Sequence, residues 1–250
     1  MVSAKDIPRW LAARPISRAF ERLYQPKGEA ASAPPRTVAK AIVNQFNRYY
    51  YSSPEVIWKN THWRGVLVSK APTDLWMYQE IVSNLRPKWI IETGTWHGGS
   101  AYYLADICEL IGTGQVISID LAAQPGLPEH PRVEYISGSS LDPDVVDKVN
   151  STVDGGPVIV ILDSDHSFDH VRAEIAAYSP LVTPGSYLIV EDTICNGNPA
   201  LPKYGPGPME AVNDFLKTTD EFSVDHEKER FLLTFNSKGY LRRKGMPSNS

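Results

Sequence analysis

Apolar and polar positions alternate between two regimes along this chain. From Trp89 onward, short unbroken runs of Val, Ile, Leu and Tyr are separated by segments with apolar residues three or four apart. Unbroken runs bounded by turn-formers read as strands buried on both faces, and the other spacing reads as amphipathic helix. The order predicted is strand Trp89 to Glu92, helix Ser100 to Ile111, strands Gln115 to Asp120 and Val133 to Ser137, then helix Asp144 to Asn150. Strand Val158 to Asp163, helix Phe168 to Tyr178, strand Ser186 to Glu191 and helix Pro208 to Lys217 follow. Such alternation predicts a mostly parallel sheet covered by helices. Phe222 to His226 and Arg230 to Phe235 read as two strands of an antiparallel hairpin joined by a charged turn.

Upstream, the pattern predicts a short helix over Pro8 to Tyr24, a proline-rich linker from Lys27 to Pro35, and a helix from Thr37 to Tyr51 with Ile42, Val43, Phe46 and Tyr49 on one side. Another helix begins near Leu75, with Thr73-Asp74 as its N-cap, and stops at Arg86-Pro87. Between them lies an aromatic loop in which Trp58 and Trp63 either cover the core edge or wall a pocket. The organisation expected is an N-terminal extension and substrate-side cap over 1–72, a main domain over 73–243 and a polar tail over 244–250.

Length and charge narrow the function classes. The chain has 250 residues, 42% of them hydrophobic, and a net charge of −4, which leaves no polybasic footprint for nucleic acid or anionic membrane. No apolar run reaches a membrane span and no secretory signal is evident, so a cytoplasmic location is expected. Cys108 reads as a packed thiol. Cys195 reads as a loop residue near the site, with nothing beside it to activate a nucleophile.

The chemistry gathers at strand tips. Val160-Ile161-Leu162 ends in Asp163-Ser164-Asp165-His166, and Tyr187-Leu188-Ile189-Val190 ends in Glu191-Asp192. Strand carboxyl ends border the ligand crevice of an open α/β sheet, so Asp163, Glu191 and Asp192 converge there. Three carboxylates together call for a hard divalent cation. His166, three residues beyond Asp163, is the expected general base, able to take a proton from a hydroxyl acidified by that cation. Asp165 is either an outer acid or a helix N-cap. Glu92-Thr93-Gly94-Thr95-Trp96-His97-Gly98-Gly99-Ser100 is a strand-to-helix turn open to close approach by an anionic ligand, where His97 either contributes or merely packs. Asp120 ends the next strand where a ribose would be held, and Gly138-Ser139-Ser140 ends the third. Together these point to an adenosine-containing ligand. The Pro/Gly-rich loop from Asn196 to Gly207 is either a lid or a passive connection.

Several motifs in one order carry a resemblance. Asp74 to Glu80, Ile91 to Thr95 with Gly98 to Ala101, Ile161 to His166, Val190 to Thr193 and Gly205 to Val212 resemble the rhamnosyl O-methyltransferase and cephalosporin hydroxylase-like family. The resemblance covers Trp63 to Arg243 and implies a Rossmann-like class I methyltransferase, with a seven-stranded sheet whose last strand is antiparallel. It implies S-adenosylmethionine as cofactor. Glu92, Gly94, Thr95, Gly99 and Ser100 would lie on its methionine part, Asp120 on the ribose, Ser139 and Ser140 near the adenine, and Asp163 beside it. It implies Mg2+ on Asp163, Glu191 and Asp192 and catalysis by His166. The expected substrate is a glycosylated small molecule, methylated on a sugar hydroxyl such as that of rhamnose, and a homo-oligomer is expected. Catechol-type methylation, hydroxylation and a non-catalytic binding role are the alternatives.

Overall fold

The computed structural model describes residues 35–122 and 125–245. The chain divides into two compact units, 1–43 and 44–250, and the sheet belongs to the second. The helix expected over 8–24 and most of the tail lie outside the described residues.

The elements are α1 Arg36–Ser52, the two-residue strands β1 His62–Trp63 and β2 Val66–Leu67, α2 Pro72–Leu85, β3 Trp89–Thr93, α3 Gly99–Ile111, β4 Gln115–Asp120, β5 Val133–Ser137 and α4 Pro143–Thr152. There follow β6 Val158–Leu162, α5 Phe168–Tyr178, β7 Tyr187–Val190, α6 Pro208–Thr218, β8 Phe222–Val224 and β9 Tyr240–Arg243. The main sheet has seven strands in the order β5-β4-β3-β6-β7-β9-β8. Pairs from β5 to β7 are parallel, and β9 is antiparallel to both neighbours, so the last strand alone reverses. This is the expected Rossmann-like plan. Register aligns Thr93 with Leu162 and Leu162 with Val190, so β3, β6 and β7 end level and the acids follow immediately.

Residues alternate between two cores along each central strand. Ile91, Ile117, Val160, Leu162, Leu188 and Val190 pack under α4, α5 and α6. Ile90, Val116, Ile159, Ile161 and Ile189 pack under α2 and α3. That double burial is why the strands lack a polar face.

Three expectations are corrected, and the apolar side of α1 is located. Arg230 to Phe235 is not a strand: Asn47 bonds Leu232 O and Thr234 N–H, Asp74 accepts the Phe235 N–H, and Ile194 N–H takes Phe235 O. With those backbone groups engaged, the reversed strand is Tyr240–Arg243 instead. Thr73 and Asp74 are not the N-cap of α2, which starts at Pro72 after Ala71. Asp74 is buried and accepts the Tyr240 hydroxyl at 2.9 Å. The apolar side of α1 is exposed at Ile42, Phe46 and Tyr49, while Asn47 is buried. The aromatic loop contains the β1–β2 hairpin, anchored where Asp106 accepts from Trp63 Nε1 at 2.7 Å and Arg64 Nη1 at 2.9 Å.

Candidate active site

A cavity of about 670 Å3 opens over the carboxyl ends of β3, β4 and β6, where strand order reverses and crevices form. Gly94, Thr95, Gly99, Ser100, Asp120, Ser139, Ser140, Asp163, His166 and Asp192 line it. Glu92 is fully buried and absent from that wall. One of its oxygens accepts the Ser118 hydroxyl at 2.8 Å and the other, Oε1, has no partner.

The glycine turn is shaped by two close approaches. A Cβ on Gly94 would stand 2.0 Å from Asp163 O, and Gly94 also has φ +89. A Cβ on Gly99 would stand 2.1 Å from Leu67 O, so only a bare backbone lets the strap after β2 cross the start of α3. Asp120 closes the turn by accepting the Trp96 N–H at 2.8 Å. His97 lies in the wall with its ring 4.6 Å from that of Trp96.

Beside the turn, Asp163, His166 and Asp192 each place one ligand atom within 4.8 Å of the others. His166 Nε2 lies 3.1 Å from Asp192 Oδ2. Burial disfavours the imidazolium, but Asp192, Asp163 and Glu191 outweigh it and push the His166 pKa up to about 9. Asp192 Oδ1 is buried with no partner, and Asp192 has left-handed backbone at φ 52. An orphaned carboxylate oxygen next to another carboxylate fits a hard cation.

Lys70 is the residue that motif reading missed. Its ammonium lies 2.6 Å from both Asp163 Oδ2 and Glu191 Oε1, and its side chain is 4% exposed. Burial opposes its charge, but the two carboxylates prevail and hold it above the ordinary lysine range. Glu191 Oε1 also accepts the Tyr78 hydroxyl at 2.7 Å, and Tyr78 accepts from Asn236 Nδ2 at 2.8 Å. Glu191 therefore sits behind the Asp163, His166 and Asp192 trio, tied to a fixed cation. Nothing local in the sequence marks Lys70, because its partners follow β6 and β7, far along the chain.

Other placements separate the alternatives. Asp165 accepts the Ser167 N–H at 2.7 Å, just ahead of α5, whose N-cap is Ser167. Trp58 lines the cavity, whereas Trp63 packs on Tyr103 at the core edge. Cys195 is in the loop after β7 and is buried, with its sulfur 3.6 Å from the Tyr51 hydroxyl, and burial pushes the thiol up to about 12, so it is no activated nucleophile. Ser140 and Ser164 both donate to Glu174 Oε1, at 2.5 and 2.7 Å, an arrangement built by α5.

Strain is concentrated here. Val56, Ser69, Trp96, Asp192 and Leu201, half of the non-glycine residues with left-handed backbone among those described, line this cavity. Each such residue costs on the order of 1–2 kcal/mol, and clusters of them mark functional sites.

Known proteins are similar to this chain. The chain is 38% identical over 214 residues to the rhamnosyl O-methyltransferase of Mycobacterium bovis strain BCG, covering 81% of this chain and 85% of that protein. It is 35% identical to the rhamnosyl O-methyltransferase of Mycobacterium leprae, covering 82% and 91%. Among solved structures, apo CmcI superposes with a TM-score of 0.60 at 24% identity, covering 75% of this chain and 77% of that one. CmcI with Mg and SAM superposes with a TM-score of 0.56 at 21% identity, covering 88% and 89%. Those two likenesses speak for the fold. Residues 55–244 match the family described as Rhamnosyl O-methyltransferase/CmcI, and with the shared sheet and the acids at its edge the chain belongs to that family.

Proposed function

We propose that the protein is a metal-dependent O-methyltransferase that moves a methyl group from S-adenosylmethionine to a sugar hydroxyl, the sugar being rhamnose or a related deoxysugar on a natural product or glycolipid. The observation that carries this reading is the Asp163, His166 and Asp192 cluster inside the cavity that also holds the glycine turn and Asp120.

The donor set fits both groups. Asp163 and Asp192, with Glu191 next to them, would hold Mg2+. Gly94, Thr95, Gly99 and Ser100 would hold the methionine part of the cofactor, Asp120 the ribose, and Ser139 and Ser140 the adenine edge, while Glu92, buried behind that wall, lies out of direct reach and would act only through its neighbours. When bound, these groups supply an electrophilic methyl carbon and a Lewis-acid contact to the acceptor hydroxyl. His166 Nε2 lies against Asp192 Oδ2; a cation held by Asp192 and Asp163 would compete for that carboxylate and acidify the acceptor hydroxyl, and His166 would be the group to take the hydroxyl proton at Nε2. Lys70 keeps Asp163 and Glu191 in place, and the strap at Leu67 and Val68 roofs the glycine turn and excludes water.

Of the expected extension over 1–72, the part that belongs to the same unit as the sheet, residues 44–72, serves as the substrate-side cap to the domain over 73–243. A cytoplasmic homo-oligomer completes the proposal, and no helix among the described residues is long and apolar enough to cross a membrane.

The test is transfer of label from methyl-labelled S-adenosylmethionine to a rhamnosylated acceptor with Mg2+, with and without chelator. Label that moves only when the metal is present is expected; label unaffected by chelator, or none across a broad set of glycosides, overturns the reading. His166→Ala should lower turnover by roughly 100-fold or more while cofactor affinity stays within a few-fold. Turnover near the full rate would remove His166 as the base.

A further inference from the structure

Ser140, Ser164 and His170 all line the cavity, and all three converge on a carboxylate that stands behind the wall. Glu174, on α5, is fully buried, and its Oε1 accepts the Ser140 hydroxyl at 2.5 Å and the Ser164 hydroxyl at 2.7 Å. His170, one turn earlier on the same helix, places Nε2 3.3 Å from that oxygen, 3.1 Å from Ser164 Oγ and 3.4 Å from Ser140 Oγ. Glu174 Oε2 is buried and has no hydrogen-bond partner among the described residues, so the carboxylate works through Oε1. Tyr178, one turn further on, donates its hydroxyl to Ser140 O at 2.6 Å. The helix thus grips Ser140 by both side chain and backbone.

The direction of these bonds decides what the cavity is offered. Hydroxyls this close to a carboxyl oxygen are bonded to its ionised form, and an ionised carboxylate only accepts. Both serine protons are therefore committed to Glu174. Each serine keeps oxygen lone pairs for the cavity and has no proton to give, and the single Nε2 of His170 fills at most one of those lone pairs. A serine elsewhere plays either role by rotating its hydroxyl; here the buried carboxylate removes the choice.

We propose that Glu174 sets the base specificity of the nucleoside site: by holding Ser140 and Ser164 as acceptors, it admits a purine with a 6-amino group and rejects the 6-oxo counterpart. The proposal rests on the cofactor reading above, which puts the base at Ser139 and Ser140. A 6-amino group brings two N–H donors to the two serine oxygens. A 6-oxo group in the same place turns its own lone pairs toward theirs, losing water without gaining a partner. Glu174 touches neither the base nor the reacting atoms; it is a positioning residue that acts through the two serines.

The experiment is calorimetric titration of the full chain, with Mg2+ present, by S-adenosylhomocysteine and by S-inosylhomocysteine, which carry an amino and an oxo group at purine position 6. The unaltered protein should bind the adenosyl ligand at least roughly 30-fold more tightly. In Glu174→Gln the amide donates as well as accepts, so one serine is free to turn its proton to the cavity. The preference should then fall to a few-fold, chiefly because the inosyl ligand gains. A purely structural role for Glu174 weakens both ligands alike and leaves their ratio unchanged, and that result overturns the proposal. Ser140→Ala and Ser164→Ala should each weaken the adenosyl ligand by roughly fivefold with little effect on the inosyl one; these variants decide the matter should Glu174→Gln fail to fold, and a loss shared equally by both ligands overturns the proposal. Equal binding of both ligands by the unaltered protein overturns it while leaving the cofactor reading intact. Binding of neither overturns both.

Discussion

Lys70 is where a single side chain decides most. It neutralises Asp163 and Glu191 at 2.6 Å each from within the protein, and breaking a buried pair from one side leaves charge without compensation. Lys70→Met should destabilise the metal-free protein by roughly 3–5 kcal/mol, and added Mg2+ should recover part of that loss by supplying the missing positive charge. Thermal unfolding with and without Mg2+ checks this; a variant as stable as the parent would contradict it. Asp74 offers a pH dependence away from the acid cluster. Burial pushes its pKa up to about 6, against the Phe235 N–H and the Thr234 and Tyr240 hydroxyls that lower it. The folded state then holds a proton that the unfolded state releases near pH 4, so this contribution to stability is full below pH 4 and is lost as pH rises through 6. The stability difference between the parent and Asp74→Asn should fall by roughly 3 kcal/mol from pH 4 to pH 7, measured by urea unfolding at each pH. A difference independent of pH would refute it. Asp163, His166, Glu191 and Asp192 were legible because each follows a strand it terminates. Lys70 and Asp74 were not, because their meaning lies in partners far along the chain.

Among the elements, the hairpin and strap over 62–70 act on the site through α3. The strap passes so near the start of α3 that Gly99→Ala would put a Cβ 2.1 Å from Leu67 O. That variant should lose at least about 2 kcal/mol of stability and bind S-adenosylhomocysteine at least tenfold more weakly, read by calorimetry. Unchanged affinity would mean that the strap does not shape the turn. Sequence periodicity placed the central strands and helices to within a residue or two, because each buries apolar residues at one clear spacing. It failed for 230–235, whose apolar residues read as a strand but whose backbone groups go to Asn47, Asp74 and Ile194. The two-residue strands β1 and β2 carry too few positions for any period to register.

At the scale of the molecule, the order β5-β4-β3-β6-β7-β9-β8 puts the reversal between β3 and β6, directly under the cavity. Groups bound there bridge both halves of the sheet, so occupancy should stabilise the whole fold. S-adenosylhomocysteine at 100 times its Kd should add about 2.7 kcal/mol, seen as a rise in Tm, and chelation should remove any further increment due to Mg2+. A Tm insensitive to both ligands would count against the cofactor assignment.

The sequence by itself determined the parallel sheet, the glycine turn and the carboxylates at the strand tips, because local periodicity and turn chemistry dictate which residues end each strand. Only the tertiary structure decided that Lys70 stands between Asp163 and Glu191, and that Trp58 faces the cavity while Trp63 does not. These are contacts between segments far apart in the chain, and they are set by how the elements close over one another.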